Sequence, residues 1–318
     1  MYSALLLIVT NRDDLTADFL IVRLLEKGMP YFRLNAEDFG EAEYLFSADQ
    51  KGLTRRYKVA GKCLDLNSVR SIWYRRMIWP SAAQAIVPNQ RHFVVGEIRH
   101  LAEGLMLDPS ILWVNPIDAT AIGERKVFQL RLAREVGLGI PPTLISNNPN
   151  MLRDFAARHD GAIVCKPIYH GLVRQGSERY SVFTHEINPH DLDDDSQLIA
   201  CPTLLQKKIT KGTDIRATFI GKEVFPVEIF SLDSAPLDWR RPGQRIEYRP
   251  TELPAAVEQG CRVLLERLRL PYGAFDFVRT PEGEMFFLEV NPTGEWAWLE
   301  RTLGLPMRDA FVKLFFDD

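Results

Sequence analysis

The chain has 318 residues, 46% of them hydrophobic and 25% charged, and a net charge of −3. That length exceeds the usual single domain, so two or three domains sharing a continuous core are expected. The balance excludes a disordered chain and a nucleic-acid binder that relies on a basic surface.

Cys63, Cys165, Cys201 and Cys261 are widely separated and in no paired spacing, which gives neither a zinc ribbon nor a disulfide framework. No apolar stretch is long enough to span a bilayer. The run Ala4–Val9 is too short for a signal segment and has no basic flank. A cytosolic, reduced protein with no membrane partner is expected.

The first third predicts a small α/β unit. A buried strand (Leu5–Val9) leads into an amphipathic helix (Leu15–Lys27) ended by Gly28, with strands at Tyr31–Leu34 and Ser71–Tyr74. The last runs into Arg75-Arg76. A helical stretch from His92 to Leu107 follows, and Trp113–Pro116 is the exit. Next comes a helix from Glu124 to Val136, capped by Gly137 and stopped by Pro141-Pro142. Asn148-Pro149 starts another, cap residue then proline, reaching Arg158. Ala162–Lys166 is a buried strand. From Thr203 onward the pattern is strand-rich: Leu204–Ile209, Ile215–Ile220 and Glu223–Phe230, the last two joined by a Gly221-Lys222 hairpin turn. One helix, with Val257, Cys261, Leu264 and Leu268 at helical spacing, interrupts them.

Gly273–Asn291 is the most informative segment. Two strands flank Pro281-Glu282-Gly283; with Glu282 and Gly283 as the central turn residues, Asp276 falls opposite Glu289, Cβ atoms about 4.5–5.5 Å apart. Alternation puts Asn291 on that face and Phe275, Phe277, Phe286, Leu288 and Val290 on the other, as core. Facing carboxylates repel unless something cationic lies between them, so losing one is expected, if anything, to stabilise the fold. Oxygen-only Asp, Glu and Asn suit Mg²⁺. Exposed acids on an edge hairpin would give the same pattern.

Lys126, in the first turn of a helix, is disfavoured by the dipole unless an anion is present. Lys166 ends an apolar strand and must snorkel or find a phosphate. Between Lys166 and Thr184 lies a polar stretch with Gly171 and Gly176 that could close over phosphates, or be a plain hairpin loop. Asp214 and Arg216 share one strand face, suited to a ribose and a phosphate, or to a surface ion pair.

Taken in order, these segments resemble the ATP-grasp superfamily over nearly the whole chain. Within it, the chain is similar to the ligases that macrocyclise graspetides, the microviridin-type ribosomal peptides. The resemblance lies in WYRR at Trp73–Arg76, WVNP at Trp113–Pro116, Glu124–Pro149, KPI at Lys166, the stretch from Leu204, DWRR at Asp238 and FLEVNPTGEWAWLE at Phe287–Glu300. It implies an α/β (α+β) fold: an N-terminal pre-ATP-grasp α/β domain (1–115), a central ATP-grasp subdomain (116–200) and a C-terminal antiparallel-sheet subdomain (201–318).

The resemblance further implies ATP and Mg²⁺ as cofactors. Lys126 and Lys166 would bind phosphates, Gln206, Lys207, Lys208 and Ile209 would line the adenine, Asp214 would meet the ribose and Arg216 the transferred phosphoryl. Asp276, Glu289 and Asn291 would hold magnesium. Arg216, Lys166 and Arg240 are the catalytic candidates. The sequence departs from relatives at Gly123–Lys126, where Arg125 stands in place of the usual asparagine.

The partner so implied is a ribosomally made precursor peptide, leader and core, with Arg75, Trp239 and Arg240 as candidate contacts; a homodimer is possible in this group. Trp239 could instead plug the core beneath its loop. Asp193, Asp194 and Asp195 could grip a basic residue of a leader helix, or simply start a helix. The expected reaction is phosphorylation of an Asp or Glu side chain, then ring closure by a hydroxyl or amine to an ester or amide. The alternatives are a carboxylate–amine ligase acting on free amino acids or a protein tail, and an inactive nucleotide-binding module.

Overall fold

The computed structural model describes residues 5–75, 88–169, 171–175, 178–232, 237–241 and 243–317. Arg76 and Gly176 lie outside them.

The N-terminal unit contains β1 (Leu5–Thr10), α1 (Leu15–Glu26), β2 (Tyr31–Asn35), β3 (Glu43–Asp49), β4 (Gly52–Val59), β5 (Lys62–Asp65), β6 (Val69–Tyr74), α2 (Arg91–Met106) and β7 (Leu112–Val114). β2, β1, β6 and β7 form a parallel sheet in that order. A parallel strand is covered on both faces, which is why β1 is apolar throughout. Leu6 and Ile8 join one core and Leu7 and Val9 another. The antiparallel β3–β4–β5 sheet was not anticipated.

The central part follows: α3 (Ile117–Gly123), α4 (Lys126–Glu135), β8 (Thr143–Ser146), α5 (Pro149–Arg158), β9 (Ile163–Lys166), β10 (Leu172–Gln175), β11 (Glu178–Ser181), β12 (His185–Glu186), α6 (Asp195–Ala200) and β13 (Thr203–Lys207). Its sheet runs β12-β9-β13-β8, and β10 pairs with β11 as a separate hairpin. The Asn148 side chain accepts from the Asn150 and Met151 amides, the cap expected of Asn-Pro. Two expectations need adjusting. The strand from Leu204 stops at Lys207, leaving Lys208 and Ile209 in the following segment, and the helix expected at Glu124 begins at Lys126, behind the separate α3.

The C-terminal part holds β14 (Thr213–Ile220), β15 (Glu223–Ser231), β16 (Ile246–Pro250), α7 (Ala255–Leu268), β17 (Tyr272–Arg279), β18 (Met285–Asn291), α8 (Ala297–Leu303) and α9 (Met307–Phe316). Five antiparallel strands run β16-β15-β14-β17-β18. Ile220 pairs with Glu223 across the Gly221-Lys222 turn. One sheet face, with Ile215, Phe219, Phe275 and Phe287, packs on α7. α8 and α9, absent from the sequence reading, place Trp296, Phe311 and Phe315 against Trp73 of the N-terminal sheet. Among the described residues no helix is long and apolar enough to cross a membrane.

Candidate active site

The site grows from register. β14 pairs with β17 so that Arg216 is opposite Asp276, and β17 pairs with β18 so that Asp276 is opposite Glu289. Three charged residues thus form one row across three adjacent strands. Asp276 meets Glu289 for a different reason than the one expected. The chain turns through Thr280–Glu284, Thr280 donating its amide to the Glu284 carbonyl, which shifts the register near the turn by one residue. A bulge between Asp276 and Phe277 restores it. Consequently Phe287, not Phe286 or Leu288, lies in the core with Phe275, Phe277 and Val290, while Leu288 lines the cleft.

The expected repulsion is absent. Arg216 Nη1 donates to both Asp276 oxygens at 2.9 and 3.0 Å, and both side chains are buried. Lys126 lies 3.1 Å from Glu289 and also donates to the Pro167 carbonyl at 3.0 Å. Arg240 stands 3.6 Å from Glu289 and is held by Asp238 at 2.9 Å. Asn291 donates to Asp276 at 3.1 Å and Glu289 at 3.4 Å, so its amide nitrogen is engaged by both carboxylates. Removing Asp276 would strand a buried guanidinium, so the expected gain in stability is overturned.

These charges tune one another. Burial disfavours the charged form of Glu289, but Lys126, Arg240 and Lys166 outweigh it and hold the carboxyl well below its usual range. Burial pushes Lys166 down to about 8, with Glu289 pulling the other way. Burial raises Asp214 to about 6 although Lys211 sits 2.7 Å away.

A cleft of about 1310 Å³ runs between the central and C-terminal sheets. Lys126, Lys166, Asp214, Asp276, Glu289 and Asn291 line it, as do Gln206 to Ile209. Gln206 is buried and anchored on Thr143 Oγ1 at 2.9 Å; Lys208 reaches Glu186 at 2.6 Å. Arg216 sits behind this wall on Asp276, and its Nη2 donates to the Glu295 carbonyl at 3.3 Å. Gly294 makes that approach possible: a Cβ there would fall 2.6 Å from Arg216 Nη2.

The acceptor candidates separate. Trp239 lines the cleft, half-buried, with its ring 5.5 Å from that of Trp298, so it both packs and faces the opening. Arg75 is buried over Trp73, its guanidinium held by Asp14 at 2.5 Å and Glu295 at 2.9 Å. Asp193, Asp194 and Asp195 do not line the cleft. Asp194 caps α6, Asp195 pairs with Arg153, and Asp193 lies 3.1 Å from His190. Lys211, Asp238 and Glu295 were not singled out in the sequence; Asp238 stands in DWRR and Glu295 in the NPTGEW stretch, but nothing there signals their partners.

Among the described residues no three His, Cys, Asp or Glu side chains cluster to hold a metal. Two carboxylates and an amide oxygen fit a magnesium ion that takes its other ligands from phosphates and water, as Mg²⁺ commonly does. Cations around this face suit a polyanion.

The family model for the MvdD pre-ATP grasp domain matches residues 4–121. No curated protein matches the chain. The similar solved structures include three that each cover 99% of the chain. The macrocyclase MdnC of Microcystis aeruginosa MRC, bound with precursor peptide MdnA, is 27% identical over 100% of its own chain, TM-score 0.86. The macrocyclase MdnB of the same organism is 29% identical over 100%, TM-score 0.81. A Chryseobacterium gregarium RiPP-associated ATP-grasp ligase, in complex with ADP and a leader and core peptide, is 26% identical over 97%, TM-score 0.90. Residues 4–121 thus match the MvdD pre-ATP grasp domain, and over nearly its whole length the chain is similar in sequence and fold to ATP-grasp ligases and peptide macrocyclases.

Proposed function

We propose that this chain uses ATP and magnesium to phosphorylate Asp or Glu side chains of a ribosomal precursor peptide and closes ω-ester or ω-amide rings through the acyl phosphate. The observation that carries this reading is the convergence of Lys126, Arg240 and Arg216 on Glu289 and Asp276 along one cleft wall. Phosphorylation gives the carboxylate a leaving group that hydroxide is not. What remains is positioning and charge neutralisation. Asp276, Glu289 and Asn291 would hold magnesium, which would neutralise phosphate charge.

In this reading Lys126 and Lys166 take the phosphates, and Gln206 to Ile209 with Leu288 take the adenine. Asp214 meets the ribose, and Arg216, buried behind the wall, acts on the transferred phosphoryl through Asp276, which it positions. Arg240 forks onto the carboxylate to be activated, with Trp239 beside it. Arg75 acts at the cleft floor through Glu295 and Asp14, and Asp193 to Asp195 offer an acidic surface to a leader. The domain limits at 115 and 200 and a cytoplasmic location belong to the same proposal.

The test is to incubate the protein with ATP, magnesium and the product of a short open reading frame beside its gene, rich in Thr, Ser, Asp and Glu. Loss of one water in mass per ring is expected. ATP consumption with free amino acids, and none with the peptide, would transfer the assignment to an amino-acid ligase.

A further inference from the structure

The segment Leu237–Arg241 sends two neighbouring guanidinium groups to opposite walls of the cleft. Arg240 turns to the C-terminal wall, on Asp238 and toward Glu289. Arg241 turns the other way: its Nη2 donates to the Thr184 carbonyl at 2.8 Å, and its guanidinium lies 6.0 Å from the Phe183 ring centroid. Both Phe183 and Thr184 line the cleft. Thr184 directly precedes β12, whose His185 pairs with Cys165, the neighbour of Lys166. One dipeptide therefore joins the strand that carries Lys166 to the strand that carries Glu289.

We propose that Arg241 is a positioning residue that sets the spacing of the Lys166 and Glu289 walls around the nucleotide phosphates. The inference rests on the nucleotide-cleft reading above and adds a residue that touches neither phosphate nor acceptor. Lys126 also spans the walls, from the Pro167 carbonyl to Glu289, but its charge partner belongs to the site itself. Arg241 is hydrogen-bonded to a carbonyl and lies near an aromatic ring, so it can hold while the site's charges rearrange around a ligand. A planar guanidinium can do both at once, donating in its plane and lying over a ring, whereas an ammonium does one at a time. Arg241 is exposed, so its hydrogen bond adds little to folding. The value of the tie is in fixing a geometry that phosphoryl transfer requires.

The experiment follows release of N-methylanthraniloyl-ADP, a fluorescent ADP, from the magnesium-containing protein by stopped flow, with no peptide present. Arg241→Gln is expected to release it about three- to tenfold faster, the scale of one ordinary solvent-exposed hydrogen bond. Arg241→Lys should fall between the two, and the thermal midpoint of the nucleotide-free protein should be unchanged in both. Normal binding by the wild type with unchanged release from Arg241→Gln overturns the inference alone. Faster release with a lowered midpoint and no recovery in Arg241→Lys overturns it too, by making Arg241 an ordinary structural contact. A wild type that binds no fluorescent ADP overturns the nucleotide-cleft reading and takes this inference with it.

Discussion

Asp276 lies directly across the ladder from Glu289, yet each carboxylate has its own cation: Arg216 from the strand behind, Lys126 from the helix in front. Asp276→Ala should cost about 3–5 kcal/mol, because it leaves Arg216 buried without its counter-charge. Asp276→Asn keeps shape and an acceptor and should stay folded while losing most turnover. Urea unfolding of the two variants checks this. A double variant Arg216→Met, Asp276→Leu should recover much of the lost stability without recovering activity.

Lys166 makes nucleotide affinity depend on pH. Its ammonium, lowered to about 8 by burial, loses its proton as the pH rises through that value. Affinity for magnesium–ADP should fall about tenfold from about pH 7 to about pH 9.5, and Lys166→Met should flatten the profile. Unfolding does not explain such a loss. The folded pKa lies below the 10.5 of an ordinary lysine, so over that window the folded state binds fewer protons and this group's contribution to stability rises with pH. A wild-type profile as flat as that of Lys166→Met would remove Lys166 from the phosphate site.

Arg240 and the acidic run should fail differently. Arg240→Ala should impair ring formation while leaving precursor affinity nearly unchanged. Neutralising Asp193, Asp194 and Asp195 together should weaken precursor binding, more so at low salt. Asp194 complicates that variant, since losing its cap on the Ser196 and Gln197 amides costs α6 about 1 kcal/mol. Asp193→Asn leaves the cap intact and is the cleaner probe. Calorimetric titration of precursor, beside a mass-spectrometric turnover assay, separates the two defects.

Much of this was legible because it is local. The buried β1, the Asn148 cap, the Gly221-Lys222 turn and the helical spacing of α7 all depend on neighbours in sequence. The pairing of Asp276 with Glu289 was legible too, but only because a five-residue turn and a bulge offset one another. A bulge leaves no mark in an alternating pattern, so Leu288 was assigned to the core when it lines the cleft. α8 and α9 are short and follow Pro292 and Pro306, where strand and turn signals dominate, although Gly304 in a left-handed conformation closes α8 as a helix stop should. Least legible were the partners of Arg75. Asp14 and Glu295 lie 61 and 220 positions away, and only the assembled fold brings them to one guanidinium.

That network carries its own expectation. Arg75 joins the end of β6 to Glu295, whose carboxylate also accepts from Thr16 and whose carbonyl accepts from Arg216. Arg75→Ala should destabilise the protein by about 2–4 kcal/mol, chiefly through Asp14, the more buried of its two partners. Thermal unfolding with full retention of the wild-type midpoint would mean that the guanidinium is dispensable to the fold and free to serve a substrate.

The most direct test of the whole account is the fate of ATP in the peptide reaction. Phosphoryl transfer to a carboxylate predicts one ADP and one inorganic phosphate for each water lost from the peptide, with no turnover when magnesium is chelated. Appearance of AMP and pyrophosphate in step with ring formation would mean an acyl adenylate, and would contradict the roles assigned to Arg216, Lys126 and the Asp276–Glu289 face together.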